Sequence, residues 1–329
     1  MRYYNLTIVD INPDGTGTGA TLAQYTSTSN GSLNGANNGA ALKIEFDVPV
    51  ASYNSPMGGT YIKVWGINFA DISATKNWTN KQVQFSAGQT AGLPLSNPNQ
   101  SGLIFVGSVL QAFGNWQGTQ LSLDILVYAG GGTPNKPLNL SWNWLKGQTM
   151  ESALTQVLTL VFGKSPTINI SPNLVFTEDQ PGFYIDLNAL GKYVYAQSLK
   201  IINNPAYNGV QIVNNQGNVA VFDNSSTATQ STQLSLNDFV SQPTWIQLNE
   251  MQMDLVLRND LQVGAYLTLP PYTNPINTSQ SYSVYRNDSA FDSTKPLQIQ
   301  RIRHLGNSRQ LDGNSWKTVV NCTYISSGS

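Results

Sequence analysis

Two hydrophobic runs, one near the middle of the chain and one at its end, read as versions of the same β-hairpin. This repeat limits the possible folds more than any other feature. In the first run, Ile104–Phe113 leads to Gly114-Asn115 and a tip carrying Trp116, and Leu121–Tyr128 returns. In the second, Leu297–Leu305 leads to Gly306-Asn307 and a longer tip carrying Trp316, and Lys317–Ile325 returns. Two similar all-β units in one polypeptide imply a duplicated module, which a three-fold assembly would use to present six similar surfaces. The hairpins are expected to superpose with Gly114-Asn115 near Gly306-Asn307, the glycines permitting a tight or positive-φ turn.

The rest of the chain fills in two β units and something different between them. Leu42–Val48 alternates apolar and polar residues with period two, as a half-buried strand does. Tyr61–Ile67 follows after the turn Met57-Gly58-Gly59, and Val83–Phe85 reads as a shorter strand. Gly15 to Ala40, rich in Gly, Thr, Ser and Asn, reads as a long loop or mobile arm. Gly130-Gly131-Gly132-Thr133-Pro134-Asn135 marks a boundary, after which the period changes. Met150, Ala153, Leu154, Val157, Leu158 and Val161 line one helical face, with Thr149 as N-cap, Glu151 in the first turn and Gly163 as the stop. A second helix fits Leu187–Gln197. Strands Gly209–Val213 and Val219–Asp223 follow, joined by Asn214-Asn215-Gln216-Gly217. Asn224 to Gln233 reads as a linker, followed by strands Gln252–Leu257, Gly264–Leu269 and Tyr282–Tyr285 and a Pro- and Asn-rich loop 270–280. The division expected is 1–130 and 225–329 as β units with an α+β unit at 137–224.

Composition narrows the function. Charged residues make up 11% of 329 residues, against about 25% in a typical soluble domain, and Asn, Gln, Ser, Thr and Gly replace them. That suits β-rich extracellular or virion proteins whose surfaces are covered by partners. A formal net charge of −1 supplies no basic field for a phosphate backbone. The single cysteine, Cys322, excludes an intrachain disulfide and reads as a small buried residue. No apolar leader follows Met1-Arg2-Tyr3-Tyr4, and no run approaches the ~20 apolar residues of a membrane span. The expectation is a soluble chain made in the cytoplasm without a membrane anchor.

Chemical motifs are incomplete. Asp10-Ile11-Asn12-Pro13-Asp14-Gly15 matches the first half of a calcium loop, but Thr21 stands where a bidentate Glu is needed, and a β-turn is the simpler reading. Gly15-Thr16-Gly17-Thr18-Gly19 lacks the Gly-Lys-Ser/Thr of a phosphate cradle. One His and one Cys are too few for a zinc site or a catalytic triad, so His304, beside Arg301 and Arg303, reads as a packed structural histidine. Glu178-Asp179 with Asp292 offers a carboxylate pair for glycoside hydrolysis. The neighbouring Pro181-Gly182 instead suggests solvated turn charges. No catalytic residue, metal or cofactor is expected.

One series of residues carries more information. Ser241-Gln242-Pro243-Thr244-Trp245-Ile246 precedes Val256-Leu257-Arg258-Asn259-Asp260-Leu261-Gln262-Val263-Gly264 and Leu267-Thr268-Leu269-Pro270. His304-Leu305-Gly306-Asn307-Ser308-Arg309 and Trp316-Lys317-Thr318 then follow. In this order the series resembles the tail-tip hub proteins of long-tailed, chiefly contractile, bacteriophages. Tyr61–Ile72 and Phe113-Gly114-Asn115-Trp116 resemble them too, so the likeness spans most of the chain. Ser241 and Asn307 depart from the pattern, which has Gly and Asp there.

The resemblance implies a mainly β chain with two tail-tube-like β-barrel domains and one small α/β domain. It implies a homotrimeric ring in the virion, at the tail baseplate, joining a six-fold tail tube protein to a three-fold central spike protein. Other baseplate or tape-measure proteins would be neighbours, and genomic DNA would pass through the lumen without sequence-specific binding. Trp245, Arg258, Asp260, His304, Arg309 and Trp316 are the candidate structural or interface residues. In so lightly charged a chain, Arg258 is expected to pair with Asp260 or a neighbouring chain's carboxylate. Arg309 is expected to fork onto a carboxylate or turn carbonyls. The rivals are a receptor- or glycan-binding tail protein and a cell-wall or capsule hydrolase.

Overall fold

Strand pairing, more than apolar content, decides where the period-two runs begin and end. A computed structural model describes residues 2–11, 18–55, 58–90, 92, 97–129, 137–225, 230–247, 250–271, 277–278 and 295–324. The N-terminal part holds β1 (Arg2–Ile11), β2 (Thr18–Thr26), β3 (Lys43–Ala51), β4 (Thr60–Trp65), helix α1 (Phe69–Ala74), β5 (Gln82–Gln89), β6 (Gly102–Gln117) and β7 (Gln120–Tyr128). In β3, Ile44, Phe46 and Val48 are buried while Lys43, Glu45 and Asp47 are half-exposed, as one-sided packing demands. One core takes Leu6 from β1, Tyr25 from β2, Phe46 from β3, Ile62 from β4, Phe85 from β5 and Ile125 from β7. The sheet therefore curls until strands from both its ends share an interior.

The middle part contains β8 (Leu140–Trp144), α2 (Met150–Phe162), β9 (Thr167–Asn169), β10 (Gln180–Tyr184), α3 (Leu187–Ile201), β11 (Gln211–Asn215) and β12 (Asn218–Phe222). Helix α2 buries Met150, Ala153, Leu154, Val157 and Leu158; the Thr149 hydroxyl accepts from Ser152 N–H, and Gly163 ends it at φ 64°. The turn between β11 and β12 is Gln216-Gly217, both at positive φ, which suits a two-residue hairpin loop. This part has its own core around Trp142, Trp144, Leu154 and Leu190. Its last hairpin nonetheless reaches out, since Val213 and Phe222 pack into the core of the C-terminal part.

The C-terminal part holds β13 (Thr232–Gln233), β14 (Thr244–Gln247), β15 (Glu250–Val256), β16 (Tyr266–Thr268), β17 (Asn277–Thr278), β18 (Leu297–Asn307) and β19 (Trp316–Tyr324). Met251, Met253, Leu267, Ile299, Val320 and Cys322 belong to its core. The chain is thus mainly β with an α+β insert.

The two β parts repeat one topology within a single 14-stranded sheet. Strands β3-β4-β7-β6-β5 lie side by side, and β14-β15-β19-β18-β16 repeat that order. Every neighbouring pair is antiparallel in both sets. Against its hairpin partner each long strand bulges once, leaving Leu110 of β6 and Gln300 of β18 unpaired there. One residue earlier the hydrogen bonds repeat. Val109 N–H donates to the Lys81 carbonyl and its own carbonyl accepts from Asn80, while Ile299 does the same with Ala265 and Gly264. Val109 therefore corresponds to Ile299, and across the hairpins Val127 corresponds to Cys322.

This register corrects the one expected from the Gly-Asn pairs by two residues. Gly114 and Gly306 make no turn and have no positive φ. They lie inside β6 and β18, where a missing side chain admits a neighbour, Ile72 against Gly114 and the Phe46 ring against Gly306. The first hairpin turns at Gly118-Thr119, so Trp116 sits on the outgoing strand and Trp316 opens the returning one. The arm expected at Gly15 to Ala40 is also corrected. Thr18–Thr26 forms β2, held by β1 in spite of its polar composition. The Gly130–Asn135 boundary, Asn12 to Gly17, Tyr282–Tyr285, Asp292 and most of loop 270–280 lie outside the described residues.

Candidate functional site at the junction of the two β units

The two units meet strand to strand. β18 pairs with β3 from Arg301 opposite Ala51 to Asn307 opposite Glu45, which makes the sheet continuous. Ile302 and His304 are buried on this stretch beside Val48. On the other face Arg303 forks onto Asp47, with Nε donating to Oδ1 at 2.7 Å, and Asn307 donates to Glu45 at 2.9 Å. Arg303 is 46% exposed and Asp47 36%, so solvent screens that pair and the ladder and buried face carry the junction.

A buried ion cluster stands behind it. The Arg258 side chain is 3% exposed and forks onto Asp260 at 2.7 and 2.6 Å, and its other terminal nitrogen lies 3.3 Å from Asp238. That last contact is an ion pair without hydrogen-bond alignment. Asp238 also accepts from Gln100 Nε2 at 2.8 Å, which brings the N-terminal unit into the cluster, as does Asn259 N–H to the Gln100 carbonyl at 2.8 Å. Burial alone would lower the Arg258 pKa, but the hydrogen-bonded fork and charge of Asp260, together with the charge of Asp238, outweigh it and raise it. Burial alone would raise the Asp238 carboxyl, yet Ser235, Gln100 and Arg258 together hold it below its ordinary value. Such a cluster is costly to desolvate, and removing one member leaves uncompensated charge inside.

Thr318 ties this cluster to the histidine. Its Oγ1 accepts from Arg258 N–H at 3.0 Å and lies 3.0 Å from His304 Nδ1. Burial lowers the His304 pKa to about 4, so the ring is neutral at pH 7. Trp316 is buried against Phe46 edge to face at 5.1 Å and donates Nε1–H to the Gly88 carbonyl at 2.9 Å, another tie between the units. Arg2 lies over the Trp316 ring at 5.5 Å and donates to the Asp312 carbonyl at 2.7 Å. Arg309 is exposed and donates to the Ala41 carbonyl at 2.6 Å.

Five of the six residues singled out from sequence therefore gather at this junction: Arg258, Asp260, His304, Arg309 and Trp316. Trp245 does not; it is buried on β14 in the C-terminal core. Trp245, Arg258, His304 and Trp316, expected as structural or interface residues, are all buried within the single chain. Gln100, Asp238, Gly88 and Phe46 were not legible as partners, because they come from segments far away in sequence.

The other motifs resolve simply. Asp10 is ion-paired to Lys81 at 2.7 Å at the end of β1, so the calcium-loop reading loses its first ligand. Glu178 and Asp179 are exposed, and Asp179 accepts from Lys146 N–H at 2.8 Å. Among the described residues no group of three or more His, Cys, Asp or Glu is placed to hold a metal ion. No helix among them is long and apolar enough to cross a membrane. A cavity of about 310 Å³ lies between the N-terminal and middle parts, lined by Val50, Tyr53, Phe105, Tyr128, Asn188 and Asn214.

No family model matches the sequence, and no curated protein matches it. Among solved structures the chain is similar to a 43 kDa tail protein of prophage MuSo2 from Shewanella oneidensis. The identity is 9% and the TM-score 0.49, over 99% of this chain and 97% of that one. It is also similar to an E. coli component of the type VI secretion system, itself described as structurally similar to tail proteins of bacteriophage T4. There the identity is 8% and the TM-score 0.46, over 87% and 74% of the two chains. A Francisella PdpA–VgrG complex gives 11% and 0.47, with 99% of this chain matching 58% of that one. These structural neighbours are phage tail and type VI secretion proteins.

Proposed function

We propose that this chain is a structural tail protein, a baseplate hub that forms a homotrimeric ring in the virion. The observation that carries the reading is the repeated five-strand order with its matching bulges, two similar β units per chain in one sheet. Three chains would then present six similar units to a six-fold tail tube while keeping a true three-fold for a central spike. The sequence resemblance to tail-tip hubs supports the same reading. In it, residues 1–130 and 225–329 are tube-like barrel domains around an α+β domain at 137–224. Other baseplate or tape-measure proteins abut the ring, and DNA passes through its lumen at ejection.

The role is adaptor and not catalyst. The junction residues act by holding the two units of one chain in fixed relation, so that the six-unit spacing is set before assembly. The test is the copy number and shape of the assembled protein. Mass measurement and electron microscopy of the chain with its tail partners are expected to give a three-fold ring with six lobes. A chain that stays monomeric beside its tail partners and in the virion would overturn the proposal, as would turnover of peptidoglycan or capsule by the purified chain.

A further inference from the structure

One groove spans the two β units at the end of their strands that the middle part does not hold. β3 begins there at Lys43, β4 ends there at Trp65 and β7 begins there at Gln120, as their antiparallel register requires. The middle part holds the opposite strand ends, where Tyr53 N–H donates to the Ile212 carbonyl and Asn188 donates to the Tyr128 hydroxyl. The groove has a volume of about 730 Å³, and its lining includes Leu42, Lys43, Trp65, Leu121 and Arg309. Much of that lining is apolar and its charges are of one sign: Lys43 and Arg309 line it, and among the described residues no Asp or Glu does. Lys43 is shared with Glu45 at 2.6 Å and lies over the Trp65 ring at 4.9 Å. Arg309 reaches in from the other unit and gives one N–H to the Ala41 carbonyl at 2.6 Å. Among the described residues no carboxylate forms an ion pair with it.

Two exposed apolar side chains adjoin the lining. Leu311 is 99% exposed two positions beyond Arg309, in a turn that Arg2 holds by donating to the Asp312 carbonyl at 2.7 Å. Trp116, opposite Leu121 across the hairpin, is 67% exposed and held edge to face by Phe69 at 5.7 Å. Arg and Trp are the side chains that most often anchor protein contacts, and fixed apolar groups left in water mark such surfaces. A phosphate chain gains nothing from the apolar wall, and one unpaired cation is too few to hold it. A second copy fits poorly, because the only adjacent acidic residues in the sequence are Glu178-Asp179, and Asp179 already accepts from Lys146 N–H. We infer that the groove seats an acidic, partly apolar segment of a different tail protein. A carboxylate of that segment takes the Arg309 guanidinium, and its apolar side chains lie against Leu42 and Leu121. The inference rests on the tail-protein reading above. Because the lining comes from both units, the occupant meets a complete groove only when the two units stand in their internal register.

A photo-cross-linking residue tests this on the full chain in assembled tails. It replaces Gly39, where an added side chain meets nothing within 4 Å, and separately Thr119, which is exposed on the groove wall. Lys200, exposed at the end of α3, is the control site. The expected result is a cross-link from both groove sites to one segment of another tail protein, with net negative charge and at least one apolar residue. No cross-link to that segment is expected from position 200. Arg309→Gln is expected to lower the cross-linking yield about fivefold, the loss of one exposed charge pair, and Arg309→Lys to preserve it. Equal yields from these two variants would reduce Arg309 to a tie on the Ala41 carbonyl and overturn the charge assignment. Cross-links to this chain itself, to DNA, or to a neutral or basic segment overturn the inference, as does incorporation into tails without any cross-link. Each of those outcomes leaves the hub reading standing. A chain absent from tails overturns both.

Discussion

His304 should make the chain lose stability in mild acid. The ring is fully buried, and burial lowers its pKa from an ordinary 6.5 to about 4. Between those values the unfolded chain binds a proton that the folded chain refuses, so stability falls as pH falls through the window from 6.5 to about 4. Below about 4 both states are protonated and the loss stops growing. From pH 7 to pH 5 the linkage amounts to about 2 kcal/mol. With an unfolding entropy of about 2.1 cal/mol/K per residue, that is a fall of about 3 °C in Tm for a chain of this length. His304→Gln keeps a polar partner for Thr318 and does not titrate. Thermal unfolding of both proteins at pH 7 and pH 5 separates this effect from carboxylate titration, which is common to both and cancels. The wild type is expected to lose about 3 °C more than the variant. Equal losses would show that the ring is not held neutral, and the reasoning would fail.

Three other outcomes are expected. Arg258→Ala strands Asp238 beside a desolvated site and should cost about 3–5 kcal/mol in denaturant unfolding, with Arg258→Lys failing to restore the fork onto Asp260; a loss near zero would contradict the cluster. Gly306→Ala places a methyl against the Phe46 ring and should cost about 1–3 kcal/mol, measured in the same way. Cys322, whose thiol pKa burial pushes up, should resist thiol reagents in the folded chain and react at once in denaturant; fast labelling of the native protein would refute the packing around β19.

What could be read from the sequence was local. Helix α2 was legible to its caps, because Thr149, the apolar stripe and Gly163 all act within a turn or two of chain. Strands β3 and β4 were legible because one face is apolar and the other polar. Strand β2 was not, since Thr18–Thr26 has no strong period and becomes a strand only by pairing with β1. The hairpin repeat was legible, but its register was misjudged by two residues. Gly114-Asn115 and Gly306-Asn307 look alike as letters, whereas the unpaired Leu110 and Gln300 that set the register leave no mark in composition. The Arg258–Asp260 pair was visible at a spacing of two. Asp238 and Gln100 were not, because Gln100 and Asp238 stand 138 positions apart and only the fold brings them together.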